Sequence, residues 1–160
     1  MNIKILAVGK IKEKFYRDAI DEYIGRMGAY NNIEIIEVAD IMAPESLSAK
    51  ELEDIKDKEG EKILSKIKDG SFLVTLEILG KEMTSEDFAD FIKDEMLMGG
   101  GRDLVFVIGG SNGLSKNVSK RANKKLSFGK FTYPHQLMRV ILSEQIYRAF
   151  RIINNHPYHK

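Results

Sequence analysis

Cysteine is absent from the 160 residues, which excludes a disulfide framework, a thiolate metal site and a cysteine nucleophile. No apolar run is long enough to span a bilayer, and the chain opens on a strand-like segment without a small-residue cleavage site. Neither a signal peptide nor a membrane span is therefore expected, and a cytoplasmic protein is. Internal repeats and low-complexity tracts are missing too. The glycine-dense segment Gly109-Gly110-Ser111-Asn112-Gly113 lacks G-x-G-x-x-G spacing, and no Gly-Lys-Ser/Thr follows it. Dinucleotide fingerprint and P-loop are thus excluded. Ser111 is not in a G-x-S-x-G elbow, which argues against a serine hydrolase. His135, His156 and His159 are not spaced as a metal set, and no metal is expected.

Acid is scarce in one stretch only. Residues 114–160 carry 10 Lys+Arg against the single acid Glu144, whereas residues 1–113 carry 15 Lys+Arg against 23 Asp+Glu. A net charge of +1 thus conceals a C-terminal part at +9 and a remainder at −8. Such a basic surface attracts phosphates, so RNA, DNA or a phosphate-bearing ligand is the expected partner. Lys116, Lys120, Lys124 and Lys125 alone would read as a solvated helix face.

With 43% hydrophobic residues the chain can bury a sizeable core, and one domain over residues 1–160 is expected. Apolar, β-branched runs predict strands at Ile3–Val8, Ile33–Val38, Phe72–Ile78 and Leu104–Ile108, with a short one at Phe128–Thr132. Helical spacing predicts helices over residues 13–28, 48–67, 85–98 and 116–125, and a long one from Pro134. Thr84 and Asp87 form a capping-box pattern before the third. Alternating strands and helices define an α/β fold, a mostly parallel sheet of five to six strands covered on both faces. Leu104–Leu114 runs a strand into a glycine turn, the kind of edge where open α/β sheets bind small molecules.

The last helix carries apolar residues around more than one face, more than its own sheet is expected to bury. A symmetric homodimer with this helix at the two-fold axis is the expectation. After it comes Asn154-Asn155-His156-Pro157-Tyr158-His159-Lys160, whose aromatic ring, imidazoles and amides suit an unstacked base, with Arg148 and Arg151 nearby for its phosphates.

AVGK near the start, then DKEGEKIL, VTLEILGK, FVIGGSNGL, LSFGKFTYPHQLMRVILSEQIYRAFRI and NHPYHK resemble, in order and across essentially the whole chain, the bacterial ribosomal RNA large-subunit methyltransferase H family of the SPOUT class. The resemblance implies a homodimeric, S-adenosylmethionine-dependent enzyme. It would methylate N3 of a pseudouridine in 23S ribosomal RNA, free or in the large subunit or ribosome. It also implies a C-terminal trefoil knot, which sequence-level topology rules alone would argue against. The family's cofactor contacts carry over to Leu76, Gly109, Phe128, Gly129, Lys130, Phe131, Thr132 and Tyr133. Gly129 and Tyr133 stand where relatives often have another small residue and another hydrophobe.

An imide N–H is a poor nucleophile until its proton leaves, so a base or a cation is needed near N3. His159 or His135 could take the proton, Arg139 could stabilise the anion or a phosphate, and Tyr158 could stack on the base. The tail of one subunit is expected to complete the site of the other. Two rivals are a non-catalytic RNA-binding protein using the basic C-terminal surface, and a nucleotide-binding enzyme of ordinary doubly wound topology.

Overall fold

A computed structural model describes residues 1–160. Five strands, β1 (Ile3–Val8), β2 (Ile33–Val38), β3 (Phe72–Glu82), β4 (Leu104–Ile108) and β5 (Lys124–Ser127), alternate with five helices. The helices are α1 (Lys14–Met27), α2 (Ala49–Leu64), α3 (Ser85–Met98), α4 (Lys116–Arg121) and α5 (His135–Ile153). All pairings are parallel, in the order β2-β1-β4-β3-β5.

The pleat explains the layers. In β1, Ile3, Ile5 and Ala7 join a core with residues of α1, α3 and α5, while Leu6 and Val8 face the opposite way, towards Ile63 of α2 and Val118 of α4. Strands buried on both sides need unbroken apolar runs, which is why β1 and β4 read so plainly. Capping boxes start α2, through Ser48 and Glu51, and α3, through Thr84 and Asp87. Gly60, the glycine of DKEGEKIL, lets α2 approach α4 closely, since a Cβ there would overlap Ser115 Oγ.

Three expectations need correction. The fourth helix ends at Arg121, before Lys125, and the last strand is Lys124–Ser127; Phe128–Thr132 is loop. Asn123 is the cause. Its N–H donates to Leu73 O and its Oδ1 accepts from Leu73 N, both at 2.8 Å, which draws the chain extended onto the β3 edge. Next, α5 is covered further than its own sheet alone would manage. Packed between α1 and α3, it buries Met138, Leu142, Ile146, Tyr147, Ala149 and Phe150 within its own chain, while Leu137, Val140, Ile141, Ile152 and Ile153 keep part of their surface. Finally, the basic C-terminal part is not one free cationic face. Arg139, Arg148 and Arg151 are engaged inside the chain, Lys124 lies over the Phe91 ring, and Lys116 faces Glu53.

Pairing of β3 with β5 shifts register between Leu76 and Lys81, so residues 77–80 leave the ladder as a bulged loop. Gly80 rests on the backbone of Lys125 and Leu126, where a Cβ would come within 2.8 Å. That bulge, the turn after β4 and the loop after β5 meet at the carboxyl edge of the sheet.

Candidate cofactor pocket and the C-terminal tail

These three segments enclose a cavity of about 520 Å³. Leu76, Gly109, Phe128, Gly129, Phe131, Thr132 and Tyr133, the positions that the family resemblance implies for cofactor contact, all line it; Lys130 is exposed and forms no part of the wall. Ser111–Leu114 belong to the glycine turn that the sequence already marks as a binding edge, whereas sequence reasoning missed Glu77, Ile78 and Leu79 on the bulge, and Leu126 and Met138. A strand ending in Gly80 was the available signal for the bulge.

Glycine is required at this edge for two different reasons. A Cβ on Gly109 would sit 3.1 Å from Leu114 Cγ and 3.2 Å from the Gly113 carbonyl carbon, and one on Gly110 would press Val8. Gly113 and Gly129 instead have φ of +82° and +106°, which side chains rarely adopt. Ser127 Oγ donates to Ile78 O at 2.9 Å and accepts from Gly129 N at 3.2 Å, tying the loop after β5 to the bulge. Glu77 is the one carboxylate on the lining, held by Thr75 Oγ1 at 2.6 Å and Ser119 Oγ at 3.1 Å. The lining contains no lysine or arginine. A phosphate-bearing nucleotide therefore lacks a counter-charge here, whereas a neutral purine with a short aliphatic arm meets suitable apolar walls and backbone polar groups.

His135 lines the cavity at the start of α5, its Nε2 4.0 Å from where a Cβ on Gly9 would lie. Burial and then the Arg139 charge hold its imidazole below the ordinary histidine range, with Asp40 and Glu13 opposing. The ring is accordingly neutral at neutral pH and able to accept a proton.

Arg139 does something other than expected. Its side chain has no exposed surface and donates to Val8 O at 2.9 Å, Gly9 O at 2.8 Å and Glu37 Oε1 at 3.0 Å. Burial lowers its pKa and Glu37 opposes that. The guanidinium clamps the carboxyl ends of β1 and β2 to α5, so it is not presented to an RNA base or phosphate.

Tyr158 and His159 do not line the cavity of their own chain. They fold back along α5, where Tyr158 Oη donates to Glu144 Oε1 at 3.0 Å, and Tyr147 packs edge-on to its ring at 5.0 Å. Burial, then the hydrogen bond to Glu144, push the Tyr158 phenol up to about 12. Upstream, His156 Nδ1 lies 2.6 Å from Tyr30 Oη, and Asn155 turns the chain with φ 54°. The tail is close to the cavity region all the same. A second cavity of about 310 Å³ shares Leu126, Phe128 and Gly129 with the first and is walled by Ser85 and Gln145. Ser85 Oγ donates to Gln145 Oε1 at 2.8 Å, and Gln145 Nε2 donates to Glu144 at 2.7 Å, the carboxylate that holds Tyr158.

A parallel sheet whose carboxyl-edge pocket is built by three glycine-bearing loops defines an α/β ligand-binding enzyme fold. The family model described as "Predicted SPOUT methyltransferase" matches residues 1–159. Ribosomal RNA large subunit methyltransferase H of Limosilactobacillus reuteri is 57% identical, and that of Clostridium beijerinckii 54%, each over 100% of both chains. The solved structure of a probable methylase family protein from Haemophilus influenzae shares the fold, with TM-score 0.54 at 14% identity, over 99% of this chain and 70% of that one. The chain belongs to the SPOUT methyltransferases, within the ribosomal RNA large subunit methyltransferase H family.

Proposed function

We propose that this protein transfers a methyl group from S-adenosylmethionine, bound in the 520 Å³ cavity, to N3 of a pseudouridine in the large-subunit ribosomal RNA of the cytoplasmic ribosome. The observation that carries this reading is a pocket lined by Leu76–Leu79, Gly109–Leu114, Phe128, Gly129 and Phe131–Tyr133 with no lysine or arginine on its walls. Bound there, the cofactor supplies an electrophilic methyl group on a sulfonium. The protein's own task is to orient it, exclude water and deal with the N3 proton. Leu76, Ile108, Leu126 and Met138 give apolar walls, and the Gly109–Gly113 turn brings backbone polar groups close. His135, neutral and on the lining, is the proton acceptor that the geometry supports.

The working unit in this reading is a homodimer, with the C-terminal segment threaded as a trefoil knot and Tyr158 and His159 of one subunit meeting the RNA at the cavity of the other. Support comes from two sides. The tail packs along α5 and stands outside its own cavity, and Ile78, Leu79 and Phe131 at the cavity rim expose 52%, 97% and 79% of their surface. Mixed dimers test the arrangement: Gly109→Val subunits combined with subunits truncated before Tyr158 should methylate large ribosomal subunits although neither does alone. Absence of complementation contradicts a shared site. Salt-sensitive RNA binding with no methyl transfer by the wild type would leave a non-catalytic RNA-binding protein.

A further inference from the structure

Both ring nitrogens of His159 have partners on its own chain. Nε2 lies 2.8 Å from Glu86 Oε1 in the first turn of α3, and Nδ1 lies 3.2 Å from Arg148 Nη1 on α5. A guanidinium carries no lone pair and can only donate, so Nδ1 must offer its own lone pair to Arg148. A neutral ring then carries its proton on Nε2, pointing at Glu86, whose ionised carboxylate can only accept. The hydrogen bond from His159 in turn holds the Glu86 carboxyl below the ordinary glutamate range, so the acceptor form persists. Arg148 is not free to turn away. Glu144 Oε1 accepts from its Nε at 3.0 Å and its Nη2 at 2.6 Å, and its guanidinium lies over the Tyr158 ring at 4.6 Å.

We propose that Glu86 is a positioning residue for the tail: together with Arg148 it fixes His159 as the Nε2–H tautomer and holds the ring in one orientation before RNA arrives. The proposal rests on the reading that the tail meets the substrate. Its chemical consequence is that His159 does not remove the N3 proton in this pose, because its lone pair faces a cation. What His159 brings is a preset ring face for the nucleotide. Proton removal stays with His135. Preorganisation of this kind lowers the ordering cost of RNA binding.

The test combines a spectroscopic signature with a rate. Long-range proton–nitrogen correlation spectra of the full-length labelled protein at mildly alkaline pH report the tautomer of each histidine, with His159→Ala giving the assignment. Expected is Nε2–H for His159 in the wild type. Without Glu86 the ring is free to rotate off Arg148, so Glu86→Ala should mix the tautomers and slow single-turnover methylation of large subunits about fivefold, the upper end for one exposed charged pair. Its affinity for S-adenosylmethionine should be unchanged. Glu86→Gln keeps an oxygen acceptor for Nε2–H and should restore both signature and rate. An Nδ1–H signature in the wild type overturns the proposal, as does a rate loss in Glu86→Ala with the tautomer unmoved, or no change in either. Full activity of His159→Ala would overturn the tail reading beneath it, with the Glu86-dependent tautomer still visible in the spectrum of the wild type.

Discussion

Replacing Arg139 by methionine separates its role in the fold from any role at the substrate. The guanidinium is wholly buried and serves three acceptors, the carbonyls of Val8 and Gly9 and the carboxylate of Glu37. Methionine fills most of the aliphatic stem but donates nothing. Breaking a buried charge pair from one side costs about 3–5 kcal/mol. Glu37 keeps 34% of its side-chain surface and can turn to water, which places this site near the lower end, about 3 kcal/mol. That is a large share of the 5–15 kcal/mol, roughly, by which domains are stable. The assay is urea unfolding at one protomer concentration, because a dimer would make stability depend on it. A lower midpoint at unchanged slope is expected. Wild-type stability with methylation abolished would refute the clamp and return Arg139 to the substrate.

Much of the fold is legible because its causes are local. Continuous β-branched runs suit strands buried on both faces, and the Thr84–Asp87 pair announces α3 before any tertiary contact exists. The pocket is legible in its glycines and in the segments quoted for the family resemblance. What escapes is set at long range. Residues 128–132 read as a short strand, but Asn123 docks on Leu73 and places β5 earlier, leaving the aromatic residues for a cavity wall. How much of the apolar breadth of α5 its own chain buries also escapes, because nothing in its sequence reveals that α1 and α3 flank it on both sides. Arg139 looks like a catalytic cation from its place after the cofactor loop. Its partners lie about 130 and 102 residues away, where no spacing rule reaches. The engagement of the C-terminal arginines by Glu37, Glu144 and Tyr30 likewise cannot be inferred from a count of charges.

Three further outcomes follow from the geometry. Gly60→Ala should destabilise the protein by about 1–3 kcal/mol through the overlap with Ser115, read in the same urea titration; a neutral effect contradicts the close α2–α4 approach. Lys4 holds the Asp103 carboxyl below the ordinary range at 2.9 Å, so the folded pKa lies under the unfolded one. The stability from Asp103 is therefore present above the unfolded value and lost as pH falls through the folded value. Asp103→Asn should cost about 1–2 kcal/mol at neutral pH, with the gap to wild type closing in acid; a gap independent of pH contradicts the pairing. Because burial lowers the His135 pKa, methylation should hold at neutral pH and fall only below the ordinary histidine range, and His135→Gln should remove that acid limb. An acid limb kept by His135→Gln assigns the proton to another group.

The most direct measurement is calorimetric titration of the purified protein with S-adenosylmethionine, repeated with Gly109→Val, whose side chain would press into Leu114 and the Gly113 backbone. Saturable binding by the wild type that the substitution abolishes, with the fold intact by circular dichroism, is the expected result. No binding by the wild type, or equal binding by the folded variant, would contradict a methyl-donor site at the glycine turn.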